Sequence, residues 1–328
     1  MDKSKVQVSV VCTVYNHEKY LRKCLDGFVM QKTNFAFEVL VHDDASTDDS
    51  KNIIMEYYRK YPDIIVPIIQ SENQHSKGIQ AVDDVLLPIA KGKYIAFCEG
   101  DDYWCHEEKL QKQYDYMESH PETTICLHNT IKHDLRGREK DQVFNEWTSI
   151  HKLTERDVFF GWNVHLTSYF MKKNYVKNPE FAKEYWFGDY KRLIWAYTFG
   201  EAVCLPDVMS VYNLANQDGI TQKMMNSSVE AFISKTMARA EYLKEYNNQT
   251  NGIYDAIVRE RILHIEFECL RKKNIQIIKN SKDKDKVAGA AREVYKHPYF
   301  KFAIKRRNKF KQFKEWFQWH YDFKHLDY

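Results

Sequence analysis

In the first half of the chain an apolar, β-branched run is followed repeatedly by a segment with helical spacing, and this alternation limits the fold more than any other feature. Val6–Val14 reads as a strand, and Glu18–Gln31 as a helix whose apolar stripe is Tyr20, Leu21, Cys24, Leu25 and Phe28. The pattern recurs as Phe37–Val41 before Asp48–Tyr61, where Ser46 and Asp49 resemble a capping box. It recurs again as Ile64–Ile69 before Gly78–Ala90, and as Tyr94–Cys98 before Glu107–His120. Strands joined through helices lie parallel, so the spacing predicts an α/β fold built on a mostly parallel, doubly wound sheet. No Gly-x-Gly-x-x-Gly opens the first helix, which removes the phosphate loop of dehydrogenase-type dinucleotide folds.

The 328 residues, 44% of them hydrophobic, suffice for one sizeable α/β domain with a smaller appendage. Thr124–Val211 is less regular, with short apolar runs (Ile125–Leu127, His165–Met171, Ala202–Leu205, Val208–Tyr212) and a short helix near Asp189–Tyr197. After Asn216 the period becomes helical through Ser228–Tyr246, Gly252–Lys273 and Asp283–Lys296, which sets an expected boundary between residues 1–216 and 217–328. Nowhere do eighteen apolar residues run together, so the expectation is a soluble, cytoplasmic chain. Seven cysteines without paired spacing fit reduced thiols rather than disulfides or structural zinc.

Polar clusters follow three of the expected strands: Thr13-Val14-Tyr15-Asn16, then His42-Asp43-Asp44-Ala45-Ser46-Thr47-Asp48, then Glu99-Gly100-Asp101-Asp102-Tyr103-Trp104. Each alone also serves as a turn or a helix cap. In a doubly wound sheet the carboxyl ends of neighbouring strands lie side by side, so the three clusters are expected to share one crevice. Carboxylates there suit a hard divalent cation and the oxygens of a diphosphate.

These three motifs, in this order and spacing, resemble family 2 of the inverting glycosyltransferases with the GT-A fold, over roughly residues 6–215. The resemblance implies a metal-dependent enzyme that moves a hexose (glucose, galactose or an N-acetylhexosamine) from a UDP-sugar to a hydroxyl of a glycan or glycoprotein acceptor. It implies nucleotide contacts by Thr13, Tyr15 and Asn16, and a carboxylate at Asp44 that accepts from the uracil imide. Asp101 matches a ribose or sugar contact and Asp102 the ligand of Mn²⁺ or Mg²⁺. Asp189, in Gly188-Asp189, matches the catalytic base; the residue alone reads equally as a helix N-cap.

Where relatives carry Tyr-Arg-x-His, this chain has Tyr212-Asn213-Leu214-Ala215-Asn216, which leaves the third metal ligand unassigned. Lys77 is the candidate cation for the diphosphate, and Trp104, His165 and Trp186 are the candidate acceptor contacts. Residues 301–328 hold eight Lys/Arg against three Asp/Glu, interleaved with Phe302, Phe310, Phe313, Trp316, Phe317 and Trp319. That tail suits packing on protein, including self-association through the helical end, or peripheral contact with an anionic bilayer; no nucleic-acid fold signature accompanies it. A nucleotide-binding scaffold without activity, or a phosphoacceptor domain using Asp43 and Asp44, are the other classes the residues allow.

Overall fold

The structure is a computed structural model that describes residues 5–161, 163–185, 187–214, 227–281 and 283–300. Two compact units emerge, Met1–Gln222 and Lys223–Tyr328. The boundary expected at residue 216 falls outside the described residues, as do Trp162, Trp186 and the basic tail 301–328.

The first unit is built on one mixed sheet. Its parallel half is β3 (Ile65–Ile69), β2 (Ala36–Asp43), β1 (Val6–Val14) and β4 (Tyr94–Phe97), in that spatial order. Val8, Ser9, Val10, Val11 and Cys12 of β1 are all buried, as a central parallel strand covered on both faces requires. Helix α1 (Glu18–Val29) lays Leu21, Cys24, Leu25 and Phe28 on this half, and α2 (Ser50–Lys60) adds Ile53, Ile54 and Tyr57. No capping box opens α2: Ser46 accepts from the Asn16 amide, and the Ser50 amide donates to Asp48.

The segment 78–90, expected as one helix, is instead a π-helical turn at Ala81–Leu86 running into the short α3 (Leu87–Ile89). Two causes lie in the sequence. Pro88 has no amide for a helical ladder, and Asp83 turns inward to a buried ion pair instead of lying on a solvent face.

The other half of the sheet departs from parallel order. Strand β5 (Tyr103–Trp104) leads to α4 (Lys109–Ser119) and the long β6 (Thr123–Asp134), followed by the short β7 (Gln142–Val143), β8 (His151–Lys152) and α5 (Glu155–Phe160). Strand β9 (Phe170–Lys172) inserts antiparallel between β4 and β6. After α6 (Gly188–Thr198), β10 (Glu201–Leu214) runs parallel to β6 and antiparallel to β5. The two short runs expected at 202–205 and 208–212 are one strand, whose register slips between Leu205 and Val208 where Pro206 has no amide to donate.

The second unit is helical: α7 (Val229–Gln249), α8 (Asp255–Asn280) and α9 (Lys284–Lys296). Ser228 caps α7 by accepting from the Ala231 amide, and Asn251 and Gly252, both at positive φ, turn the chain into α8. Phe267, Val294, Tyr299 and Phe300 form a small core of their own. Among the described residues no helix is long and apolar enough to cross a membrane.

All seven cysteines are free, and only Cys105 is exposed. A thiol-reactive chromophore under native conditions should therefore titrate about one thiol per chain, and seven after unfolding. Rapid native labelling of several thiols would contradict this packing.

Candidate active site

The carboxyl ends of β2, β1 and β4 carry the three polar clusters, and backbone hydrogen bonds join them laterally. The Asp44 amide donates to Val14 O at 2.9 Å, and the Gly100 amide to Thr13 O at 3.0 Å. The first two loops are also tied reciprocally: Asn16 N donates to Ser46 Oγ (2.9 Å), Thr47 N to Asn16 Oδ1 (2.8 Å) and His17 N to Ser50 Oγ (3.0 Å). Asn16 and Ala45 both sit at φ near +60°, a backbone state that costs an alanine about 1–2 kcal/mol. The loop-to-loop bonds hold both turns in that conformation.

Glycine is required at 100 for a packing reason. A Cβ there would lie 2.9 Å from both His17 Nδ1 and Val14 Cγ2, so the third loop could not close on the first. On this tight turn Glu99, Asp101 and Asp102 bring carboxylate oxygens within 4.8 Å of one another. Asp102 is buried: Oδ1 accepts from the Asn213 amide at 2.8 Å, whereas Oδ2 accepts no hydrogen bond and faces His165 Nδ1 at 3.8 Å. Asn213 also donates from Nδ2 to the Asp101 carbonyl at 2.5 Å, so the end of β10 clamps both aspartates. Burial, reinforced by Asp101, drives the Asp102 carboxyl well above the usual carboxylate range. Burial, with Asp101 and then Asp189 adding repulsion, pushes Glu99 up to about 8, and the Arg192 guanidinium acts against that rise.

Asp189, on α6, acts on the cluster through its charge, which raises Glu99. Phe187 is the N-cap of that helix, so Asp189 lies in its first turn and is not the cap; its Oδ1 accepts from the Tyr190 amide at 2.8 Å. Its carbonyl accepts from the Tyr169 hydroxyl at 3.4 Å, and its charge acts on both Glu99 and Tyr169.

The nucleotide candidates divide. Tyr15 is 47% exposed and stands free at the mouth of the first loop, with Thr13 and Asn16 beside it half-buried. The Asp44 carboxylate already accepts from the Gln74 amide (2.6 Å) and the His75 amide (3.1 Å), so in this structure it anchors the 73–78 turn. Lys77 in that turn pairs with Glu72, not with the acidic cluster.

Two of the acceptor candidates are corrected. Trp104 is 1% exposed: its indole packs edge-on against Phe28, its Nε1 donates to Thr167 O at 3.0 Å, and the buried Lys109 ammonium sits 3.9 Å from its ring. Gly27 of α1 abuts the Trp104 backbone, where a Cβ would come within 2.7 Å of the carbonyl oxygen. This tryptophan belongs to the core and offers no face to an acceptor. His165 is likewise buried, stacked on Tyr212 with ring centroids 4.1 Å apart, and burial followed by Lys132 lowers it to about 3. A neutral His165 walls the acidic cluster beside Asp102, away from solvent. Trp186 lies outside the described residues.

Sequence reasoning missed Glu99, Asn213 and the Asp83–Arg192 pair. Glu99 was readable: with one residue between them, Glu99 and Asp101 flank the turn glycine. Asn213 occupies the stretch where the histidine was sought, and acts partly through its backbone, which leaves no residue signature.

With this geometry in view, residues 9–173 match the family model described as "Glycosyl transferase family 2". The chain belongs to that family. An uncharacterized protein of Mycobacterium tuberculosis is 47% identical over 121 residues, covering 37% of this chain and 34% of its own length. The poly(ribitol-phosphate) beta-glucosyltransferase of Bacillus spizizenii is 30% identical over 181 residues, covering 54% of this chain and 28% of its own. The chain thus spans about a third or less of these curated relatives. The crystal structure of Staphylococcus aureus TarS residues 1–349 in complex with UDP-GlcNAc superposes with a TM-score of 0.54 at 20% identity, covering 91% of this chain and 92% of that one. That likeness establishes the GT-A fold with a helical C-terminal region.

The raised carboxyls have a thermodynamic signature in metal-free protein. A carboxyl whose folded value lies above its unfolded one binds a proton more readily in the native state, so stability falls as pH rises between the two values. For Glu99 that window runs from the ordinary 4.5 up to about 8. In EDTA, Glu99→Gln should melt above the parent at pH 8 and converge with it near pH 4. A parent advantage at pH 8 would place Glu99 in a favourable, paired environment instead.

Proposed function

We propose that this glycosyltransferase is metal-dependent and inverting, and that it moves a hexose from a UDP-sugar to a hydroxyl of a surface-glycan or glycoprotein acceptor. The observation that carries this reading is the carboxylate cluster at the end of β4, whose Glu99 feels the charge of Asp189 on α6. One carboxylate set suits the departing diphosphate and its cation. Another, from a separate element, suits the incoming alcohol.

Glu99, Asp101 and Asp102 offer hard oxygen ligands within one ion's reach, and the buried Oδ2 of Asp102 has no hydrogen-bond partner. Such a set fits Mg²⁺ or Mn²⁺. When bound, the cation would supply positive charge that neutralises the leaving nucleotide. Asp101 keeps 19% of its side chain exposed, with His17 Nε2 4.0 Å from its Oδ2.

The remaining steps belong to the chain's own residues. Tyr15 offers an exposed ring to the base, and Thr13 and Asn16 line the same edge. Asp44, while holding the 73–78 turn, retains lone pairs on both oxygens to accept from a uracil imide. Asp189 takes the proton of the acceptor hydroxyl as that oxygen bonds the anomeric carbon and the carbon–oxygen bond to the diphosphate breaks on the opposite face. Its bond from the Tyr190 amide fixes the carboxylate's direction. Proton removal of this kind is worth about 10²–10⁴ in rate. An acceptor on a surface polymer is in keeping with the name of the Bacillus spizizenii relative, a poly(ribitol-phosphate) beta-glucosyltransferase.

Mass-spectrometric screening of UDP- and GDP-hexoses against glycan acceptors should yield transfer from a UDP-sugar that EDTA abolishes and Mn²⁺ or Mg²⁺ restores. Asp189→Asn should lower kcat about 10²-fold or more with the fold intact by circular dichroism. Turnover near the parent's in Asp189→Asn would remove the base, and activity unaffected by EDTA would remove the metal.

A further inference from the structure

Arg192 and Asp83 form a buried ion pair that neither the nucleotide contacts nor the acidic cluster requires. Arg192 Nη2 donates to Asp83 Oδ1 at 2.6 Å, with side chains 7% and 2% exposed. Asp83 also accepts from Asn178 Nδ2 at 2.9 Å, which fixes its carboxylate in the π-helical turn. Burying such a pair gives at best a small net gain over apolar residues of the same volume, so stability alone is a poor reason for its presence. Its placement is also electrostatically awkward. An arginine one turn into a helix sits near the positive end of the helix dipole.

The placement makes sense from the site. Arg192 lies three residues after Asp189 on α6, on the same face, and its positive charge acts on Glu99 and Tyr169, the same two groups that feel Asp189. Its Nε makes no hydrogen bond, and its Nη1 passes under the first residue of the helix, where a Cβ on Gly188 would lie 2.8 Å from it. Glycine at 188 is what lets the guanidinium run beneath the turn that presents Asp189.

We infer that Arg192 is a positioning residue: tethered by Asp83, it pins the first turn of α6 to the Ala81–Leu86 turn and holds Asp189 in register with the carboxylate cluster. This rests on the reading of Asp189 as the base. An i, i+3 neighbour locked at both ends restricts the helix start against rotation, and an error of about 1 Å in a reacting group is worth about 10²-fold in rate. The positive charge also acts on Glu99 against the repulsion that Asp189 exerts on it.

The test compares Arg192→Lys and Gly188→Ala in the full chain. The first keeps the charge and loses the planar fork; the second keeps every charge and displaces the guanidinium, whose flexible end yields without unfolding the chain. Both should lower kcat by about 10²-fold while leaving the donor KM and the UDP Kd within about threefold. Guanidinium ion, well below denaturing concentration, should restore part of the turnover of Arg192→Ala. Parent-like kcat in both variants overturns the inference. So does a loss expressed in UDP affinity and donor KM, which would make Arg192 a diphosphate contact. Asp189→Asn, measured alongside, separates the levels. Full turnover there removes the base reading and the positioning role with it, whereas a dead Asp189→Asn with fully active Arg192 variants removes only the positioning role.

Discussion

Mutual repulsion among carboxylates is the constraint around which the first unit is arranged. Glu99, Asp101 and Asp102 crowd one turn, the charge of Asp189 acts on Glu99 from another element, and low-dielectric packing beneath them strengthens every like-charge interaction. The cluster survives because covalent and hydrogen-bonded structure gives it no room to separate. Gly100 lets the turn close on β1, Asn213 ties it to the end of β10, and α1 is locked by the Gly27–Trp104 contact. Opposite charge brought to this turn is what the proposed cation would supply.

The parallel half of the sheet was legible because its strands are continuous apolar runs and its helices carry a clean stripe. Val6–Val14 was read to the residue, and Glu18–Gln31 ends two residues beyond the observed helix. Legibility failed where a buried charge replaced an apolar residue or a backbone irregularity replaced a regular ladder. Asp83 and Pro88 broke the expected helix at 78–90, and Pro206 hid one long strand as two short ones. Strand β9 was folded into a longer apolar run, because three residues between longer neighbours give too little period to read.

The site shows the same division. That the three polar loops share one rim is legible from their order along the chain, since parallel topology aligns strand ends whatever the side chains do. Which residue does what did not follow so readily. Trp104 looks like a sugar platform in sequence and is core in space, because the strand holding it is pressed between α1 and β10. His165, beside an apolar run, reads either as an acceptor contact or as a buried, satisfied histidine, and the structure gives it the buried place against Asp102. Tertiary burial decided both cases, and no local pattern encodes it.

The unpartnered oxygen of Asp102 has an evolutionary corollary. A smaller or apolar side chain at that position would relieve the native state of a buried oxygen that no protein donor satisfies, so selection for folding alone pulls against the acid. On the role proposed for it, aspartate there is kept by use. In a duplicated copy freed from its reaction, this position should be among the first to drift, well before the glycine that shapes the turn beside it.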